Sequence, residues 1–191
     1  MNTAAAITSW IWLALEVALQ VRDRVRGTGS TALDQRTRLM IFLLMFPTIF
    51  IASVISGALP DDSPLRFPGP LGLWETVGVA VMWLGLALRV WAITVLGSSF
   101  RTTVEVHSGQ TVVDRGPYHW VRHPSYSGIL LITLGYGLAA DNWLSLLMVT
   151  LIPTYGLIRR IKVEEKVLVQ AMGHSYLDYS ANTKRLVPGV W

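Results

Sequence analysis

The 191-residue sequence contains no cysteine, so it forms no disulfide, presents no thiolate nucleophile and holds no cysteine-ligated zinc or iron–sulfur site. Charge is scarce as well: Asp, Glu, Lys and Arg make up 15% of the residues, against about a quarter in an ordinary soluble domain. A glycine-rich phosphate loop, a nucleophile elbow and the soluble dinucleotide-binding fingerprint are all missing. What is abundant is apolar surface, with 52% hydrophobic residues and a mean hydropathy of +0.45, gathered in long uncharged runs. One water-soluble core of this length cannot hide so much, and the composition points to an integral membrane protein. The net charge of +4 does not argue for nucleic acid, because the basic residues flank apolar runs, where anionic lipid headgroups account for them better.

A hydrocarbon core about 30 Å thick needs roughly 20 apolar helical residues, and 39–59 supplies 21 without a charge. Pro47 within it is tolerable, since neighbouring groups can satisfy the freed carbonyl. Residues 4–21, interrupted by Glu16 and followed by Arg22, Arg24 and Arg26, have the reverse polarity of a cleavable signal peptide and are expected to stay as a first helix. A third span runs over 76–96 and contains Arg89. The simplest expectation is that Arg89 snorkels to the headgroups, the alternative being an intramembrane counter-charge for a ligand. From 126 to 158 the chain is apolar again, broken by the turn-forming pair Asp141-Asn142, and reads as a helical hairpin with arms of about 23 Å.

Fourteen lysines and arginines lie in segments 22–38, 98–125 and 159–191, against Arg66 alone in 60–70. This bias places the first three segments in the cytoplasm, the N-terminus outside and the C-terminus inside. Trp74 and Trp143 at the outer ends and Trp120 at the inner one fit an interfacial belt. The expected fold is an all-α integral membrane bundle of about five transmembrane helices, including the C-terminal hairpin, with a cytoplasmic helical tail. No repeat or long linker divides it, so 1–191 reads as one domain.

The polar chemistry is confined to the C-terminal half. All four histidines, the pair Glu164-Glu165, and Tyr118, Tyr126, Tyr176 and Tyr179 lie there. In Arg122-His123-Pro124-Ser125-Tyr126, Pro124 suits the first turn of a helix with His123 just ahead of it. Such a helix start offers N–H groups to an anion; it is equally an interfacial helix start with an anchoring tyrosine. His119 and His123 are four apart, but no H-E-x-x-H glutamate lies between them and Pro124 follows the pair, so no metal site is expected. Arg160 and Glu164 share a helical face at i, i+4. They suit either a solvated charged helix or a ligand with a carboxylate for the guanidinium and an ammonium for the carboxylate.

Taken in order, Arg122-His123-Pro124-Ser125-Tyr126, the apolar hairpin, Glu164-Glu165, Gly173-x-x-Tyr176-x-x-Tyr179 and Arg185-Leu186-Val187-Pro188 resemble the isoprenylcysteine carboxyl methyltransferase family, in its short prokaryotic form. The resemblance covers about half the chain, residues 97–188. It implies an integral membrane enzyme that transfers a methyl group from S-adenosylmethionine to the carboxylate of a prenylated cysteine. It further implies a cofactor-binding half in 98–191, and the three spans read in 1–97 agree with it in number and character. By resemblance, the cofactor contacts Gln110, Thr111, Val112, Val113, Tyr118, His123, Pro124, Ser125, Tyr126 and Glu164, together with Glu105 where the family carries a glutamine. Arg160 matches the family arginine that holds the substrate carboxylate. A lipophilic prenylated substrate would then enter from the bilayer, among membrane lipids, and the cofactor from the cytoplasm. The competing readings are an amine methyltransferase acting on a phospholipid or other amphiphile, an NADPH-dependent sterol-type reductase, and a non-enzymatic membrane scaffold.

Overall fold

In hydrocarbon every backbone N–H and C=O must find an internal partner, and the long apolar runs meet that demand as helices. A computed structural model describes residues 3–25, 32–70, 72–100 and 111–191. Among them the main elements are α1 (Thr3–Val25), α2 (Ala32–Ala58), α3 (Leu73–Leu96), α4 (Pro124–Ala139), α5 (Trp143–Met172) and α6 (His174–Asn182). Four of these, α1, α2, α3 and α5, are long and apolar enough to cross a membrane. The first arm of the expected hairpin, α4, has 16 residues and is about 24 Å long, shorter than a hydrocarbon core. The second arm carries on past 158 as the helix expected to hold Arg160 and Glu164. Nothing in 159–172 breaks a helix, and α5 runs 30 residues to Gly173.

Local chemistry sets the boundaries. Pro124 occupies the first turn of α4 with His123 as its N-cap. Asp141 takes a left-handed φ of 55°, and the Asn142 side chain accepts the Ser145 N–H at 2.8 Å to open α5. The Arg66 guanidinium caps the far end of α2, donating to the carbonyls of Leu59 at 2.7 Å and Pro60 at 3.0 Å.

The distribution of residues is inverted relative to a soluble protein. Trp10 and Phe50 are 69% and 70% exposed, whereas Arg89 and Arg160 are each 4% exposed. Outward apolar side chains and inward charges are what a hydrocarbon solvent selects, and the chain is a multi-pass integral membrane protein.

Helix α3 packs most extensively on α4, and glycine makes this possible. A Cβ on Gly85 would stand 2.6 Å from the Gly128 carbonyl oxygen, and one on Gly135 would stand 2.5 Å from that of Gly78. The two backbones therefore touch, as small residues allow inside membranes. The pair runs antiparallel, so the Arg89 end of α3 meets the start of α4.

Arg89 does not snorkel. Its Nε and Nη2 donate to the two Glu16 oxygens at 2.6 and 2.7 Å, and Nη1 donates to Ser125 Oγ at 2.7 Å. Trp12 Nε1 adds a bond to Glu16 at 2.8 Å. A fork-to-fork pair across α1 and α3 satisfies the guanidinium more fully than a stretched side chain could, and its counter-charge is Glu16 of the protein instead of the ligand group that the alternative expected.

Phe67, Trp74 and Trp143 cluster at one end of the bundle, beside the Arg66–Asp141 pair. Trp120 packs edge-on to Trp91 at the other. Tyr118, His123, Tyr126, Arg160, Glu164 and Glu165 gather at that second end.

Candidate functional site

A pocket lies inside the bundle at this second end. Its apolar wall is formed by Ile41, Phe42 and Met45 of α2, Ile129 of α4 and Leu157 of α5, and its polar wall includes Tyr118, His123, Tyr126, Arg160 and Glu164. One cavity thus offers a greasy side and a charged side, the demand made by a lipophilic molecule carrying a polar reacting group.

The polar wall is organised around the Tyr126 hydroxyl. It donates to Glu164 Oε2 at 2.8 Å and accepts from Arg160 Nε at 2.9 Å. Arg160 Nη1 also donates to Thr37 Oγ1 of α2 at 3.1 Å, so one guanidinium ties α2, α4 and α5. The His123 ring stacks on Tyr126, centroids 5.6 Å apart and planes 17° from parallel.

Glu165, next in sequence, turns to different partners. Arg122 Nε and Arg185 Nε each donate to it at 2.9 Å, and His123 Nε2 stands 3.4 Å away. Arg122 Nη1 further donates to the carbonyls of Ser180 and Thr183. The C-terminal segment is thereby laid over the start of α4: the N–H groups of Arg122 and His123 donate to the carbonyls of Lys184 and Arg185 at 2.7 and 3.0 Å. Ser127 Oγ donates to Leu186 O at 2.6 Å. Fewer N–H groups than expected are open to an anion at this helix start: those of Arg122, His123, Tyr126 and Ser127 all bond within the protein.

Tyr118 and Tyr179 also border the pocket. Burial and the Glu164 charge push the Tyr118 phenol up. Burial and Asp114 push Tyr179 up to about 12, and its hydroxyl donates to Tyr118 O at 2.6 Å. These groups are neutral phenols near pH 7.

Of the residues singled out from sequence, Thr111, Val112, Val113, Tyr118, His123, Ser125, Tyr126, Arg160 and Glu164 line the one pocket. Pro124 is buried at the helix start and acts on the backbone there. Glu105 and Gln110 lie outside the described residues. His119 and His123 part company: the His119 side chain is 67% exposed beside Asp114, whereas that of His123 is 4% exposed. Sequence reasoning gave no site role to Glu16 and Gln20 of α1, to Arg122 or to Tyr176, all of which border the pocket. For Glu16 the available signal was an acid within an apolar helix, since buried ionisable groups in membranes mark function. For Arg122 and Tyr176 it was their place inside the quoted motifs.

Comparison with known proteins follows the same residues. A model of the isoprenylcysteine carboxyl methyltransferase (ICMT) family matches 77–170. A protein-S-isoprenylcysteine O-methyltransferase of Tribolium castaneum is 34% identical over 146 residues, 74% of this chain and 52% of that protein. A probable protein-S-isoprenylcysteine O-methyltransferase of Oryza sativa subsp. japonica is 30% identical over 190 residues, 97% of this chain and 98% of that one. The chain thus spans about half the length of the beetle relative and nearly all of the rice one. Among solved structures, the eukaryotic intramembrane Ras methyltransferase ICMT superposes with a TM-score of 0.62 at 27% identity, covering 80% of this chain and 52% of that one.

Proposed function

The chain belongs to the isoprenylcysteine carboxyl methyltransferase family, and from that premise we propose that it transfers a methyl group from S-adenosylmethionine to the carboxylate of an isoprenylcysteine or a similar lipophilic acid. The observation that carries this reading is the Tyr126 hydroxyl joining Arg160 to Glu164 at the polar end of an apolar pocket. One anion receptor and one cation receptor are held side by side.

The residues suit the methyl donor. Glu164 presents a carboxylate to an ammonium or sulfonium charge, the stacked His123 and Tyr126 rings offer flat surfaces, and Ser125, Tyr118 and Thr111 to Val113 line the surrounding wall. Bound S-adenosylmethionine supplies an electrophilic methyl group on a sulfonium. A carboxylate acceptor, with a pKa near 4, is ionised at neutral pH, so neither His123 nor Glu164 is asked to act as a base. Arg160 holds that carboxylate and sets its direction, which is the main contribution of the site. Ile129, Leu157 and Met45 keep water away, so the charges act in a weakly screening medium.

The lipid tail lies along Ile41, Phe42 and Met45 and arrives from the bilayer. By the charge bias of the loops, the polar end faces the cytoplasm, from which the donor enters. The three N-terminal spans and the C-terminal half act as one domain, because α1 and α2 contribute wall to the same pocket.

Calorimetric titration of the detergent-purified protein with S-adenosylhomocysteine and, separately, NADPH tests the donor class: the first binds and the second does not. Glu164→Gln is expected to weaken S-adenosylhomocysteine by about 1.5–3 kcal/mol, the worth of a hydrogen bond to a charged group, or roughly 10- to 150-fold. An unchanged dissociation constant in both folded Glu164→Gln and His123→Ala would remove the donor from this wall.

A further inference from the structure

Tyr176 is 4% exposed, yet its hydroxyl finds no hydrogen-bond partner among the described residues. Buried hydroxyls without partners are uncommon and costly. The helix that carries it is placed deliberately. Gly173, at φ 58°, ends α5 in a conformation that favours glycine, and α6 turns back so that Tyr176 and Tyr179 meet the pocket. Tyr179 is accounted for within the fold, since its hydroxyl holds Tyr118 O. Tyr176 borders the same space with its hydroxyl unspent.

The charges around it differ from side to side. Glu164 brings a negative charge to the pocket. Glu165 is shared by two guanidiniums, Arg122 and Arg185, with His123 at hand, so that cluster carries net positive charge, and Arg122 borders the pocket. Tyr176 feels both sides. Burial raises its phenol above the ordinary value, Glu165 and Glu164 act in the same direction, and Arg122 acts against them. The group is therefore a neutral hydroxyl, able to donate. A zwitterionic α-amino acid matches this polarity, with its ammonium toward Glu164 and its carboxylate on the Arg122 side.

We propose that the Tyr176 hydroxyl is a ligand for the amino-acid end of the methyl donor, donating a hydrogen bond to its carboxylate while Glu164 holds the ammonium. The inference rests on the methyl-donor reading of the pocket.

The test compares two probes on the 191-residue chain: S-adenosylhomocysteine, and 5′-methylthioadenosine, which keeps the nucleoside and sulfur but lacks the amino-acid end. Tyr176→Phe preserves the ring and removes the hydroxyl. It is expected to weaken S-adenosylhomocysteine about tenfold, leave 5′-methylthioadenosine within about twofold, and not lower the melting temperature of the ligand-free protein. Tyr179→Phe, which breaks a bond inside the fold, should lower the melting temperature and affect both probes alike. Unchanged S-adenosylhomocysteine affinity in Tyr176→Phe, an equal loss for both probes, or a variant that fails to fold would overturn the assignment. A wild-type protein that binds neither probe would instead overturn the donor reading on which it rests.

Discussion

Arg160→Lys is expected to lower kcat/KM for a prenylcysteine acid by about 10²- to 10³-fold, while the dissociation constant for S-adenosylhomocysteine moves by less than about threefold. The guanidinium already reaches Tyr126 through Nε and Thr37 through Nη1, and its planar fork fixes a carboxylate in direction as well as in place. A lysine ammonium is a point charge on a flexible stem and cannot serve these groups and the acceptor together. Misdirecting the nucleophile by a fraction of its reach is enough to forfeit most of the gain from orientation. Methylation kinetics and cofactor titration on one preparation separate the two ligands. Full activity in the variant would remove Arg160 from the carboxylate role; equal loss of activity and cofactor affinity would make it a general support of the pocket.

The second large effect concerns stability. Glu16→Ala leaves the Arg89 guanidinium, 4% exposed, without its forked partner inside the bundle, and breaking a buried pair in this way costs about 3–5 kcal/mol. For a chain of this size the melting temperature in detergent is expected to fall by about 10 °C, and Trp12, bonded to Glu16, reports the change through its fluorescence. Removing both charges, in Glu16→Leu with Arg89→Met, should recover most of the loss, because two well-packed apolar side chains replace a buried pair at little cost. Ser125 loses its Arg89 bond in the double variant, so cofactor affinity should stay reduced while stability returns. A single variant with unaltered melting temperature would show that the pair contributes nothing to the fold.

The helices were legible because their signals are local. Pro124 and the Asp141-Asn142 pair stand where the structure starts α4 and joins it to α5, each through a preference that needs no distant partner. Apolarity fades at Arg159, but the i, i+4 spacing of Arg160 and Glu164 marked the helix as continuing, and it lasts to Gly173. The contact of α3 with α4 leaves a trace in the sequence: Gly78 and Gly85, like Gly128 and Gly135, are two turns apart on one face. Of the site, the side chains that touch through Tyr126 were all named from their motifs, since α4 and α5 share a short connection that brings Tyr126 to Arg160 and Glu164. Pairings between remote segments were not legible. Glu16 with Arg89, or Arg122 with Glu165 and the tail carbonyls, depends on how helices are laid side by side, and no periodicity encodes which buried charge meets which.

The most direct test of the account is a transfer reaction with wild-type protein, S-adenosylmethionine labelled on its methyl group and N-acetyl-S-farnesylcysteine as acceptor, followed by treatment of the lipid product with mild base. A methyl ester releases its label as methanol under base, and the account predicts label in the farnesyl product that is released in this way. Contradiction would be a protein that binds S-adenosylhomocysteine yet leaves this and other prenylcysteine acids unlabelled, or that yields only base-stable label on a membrane amine.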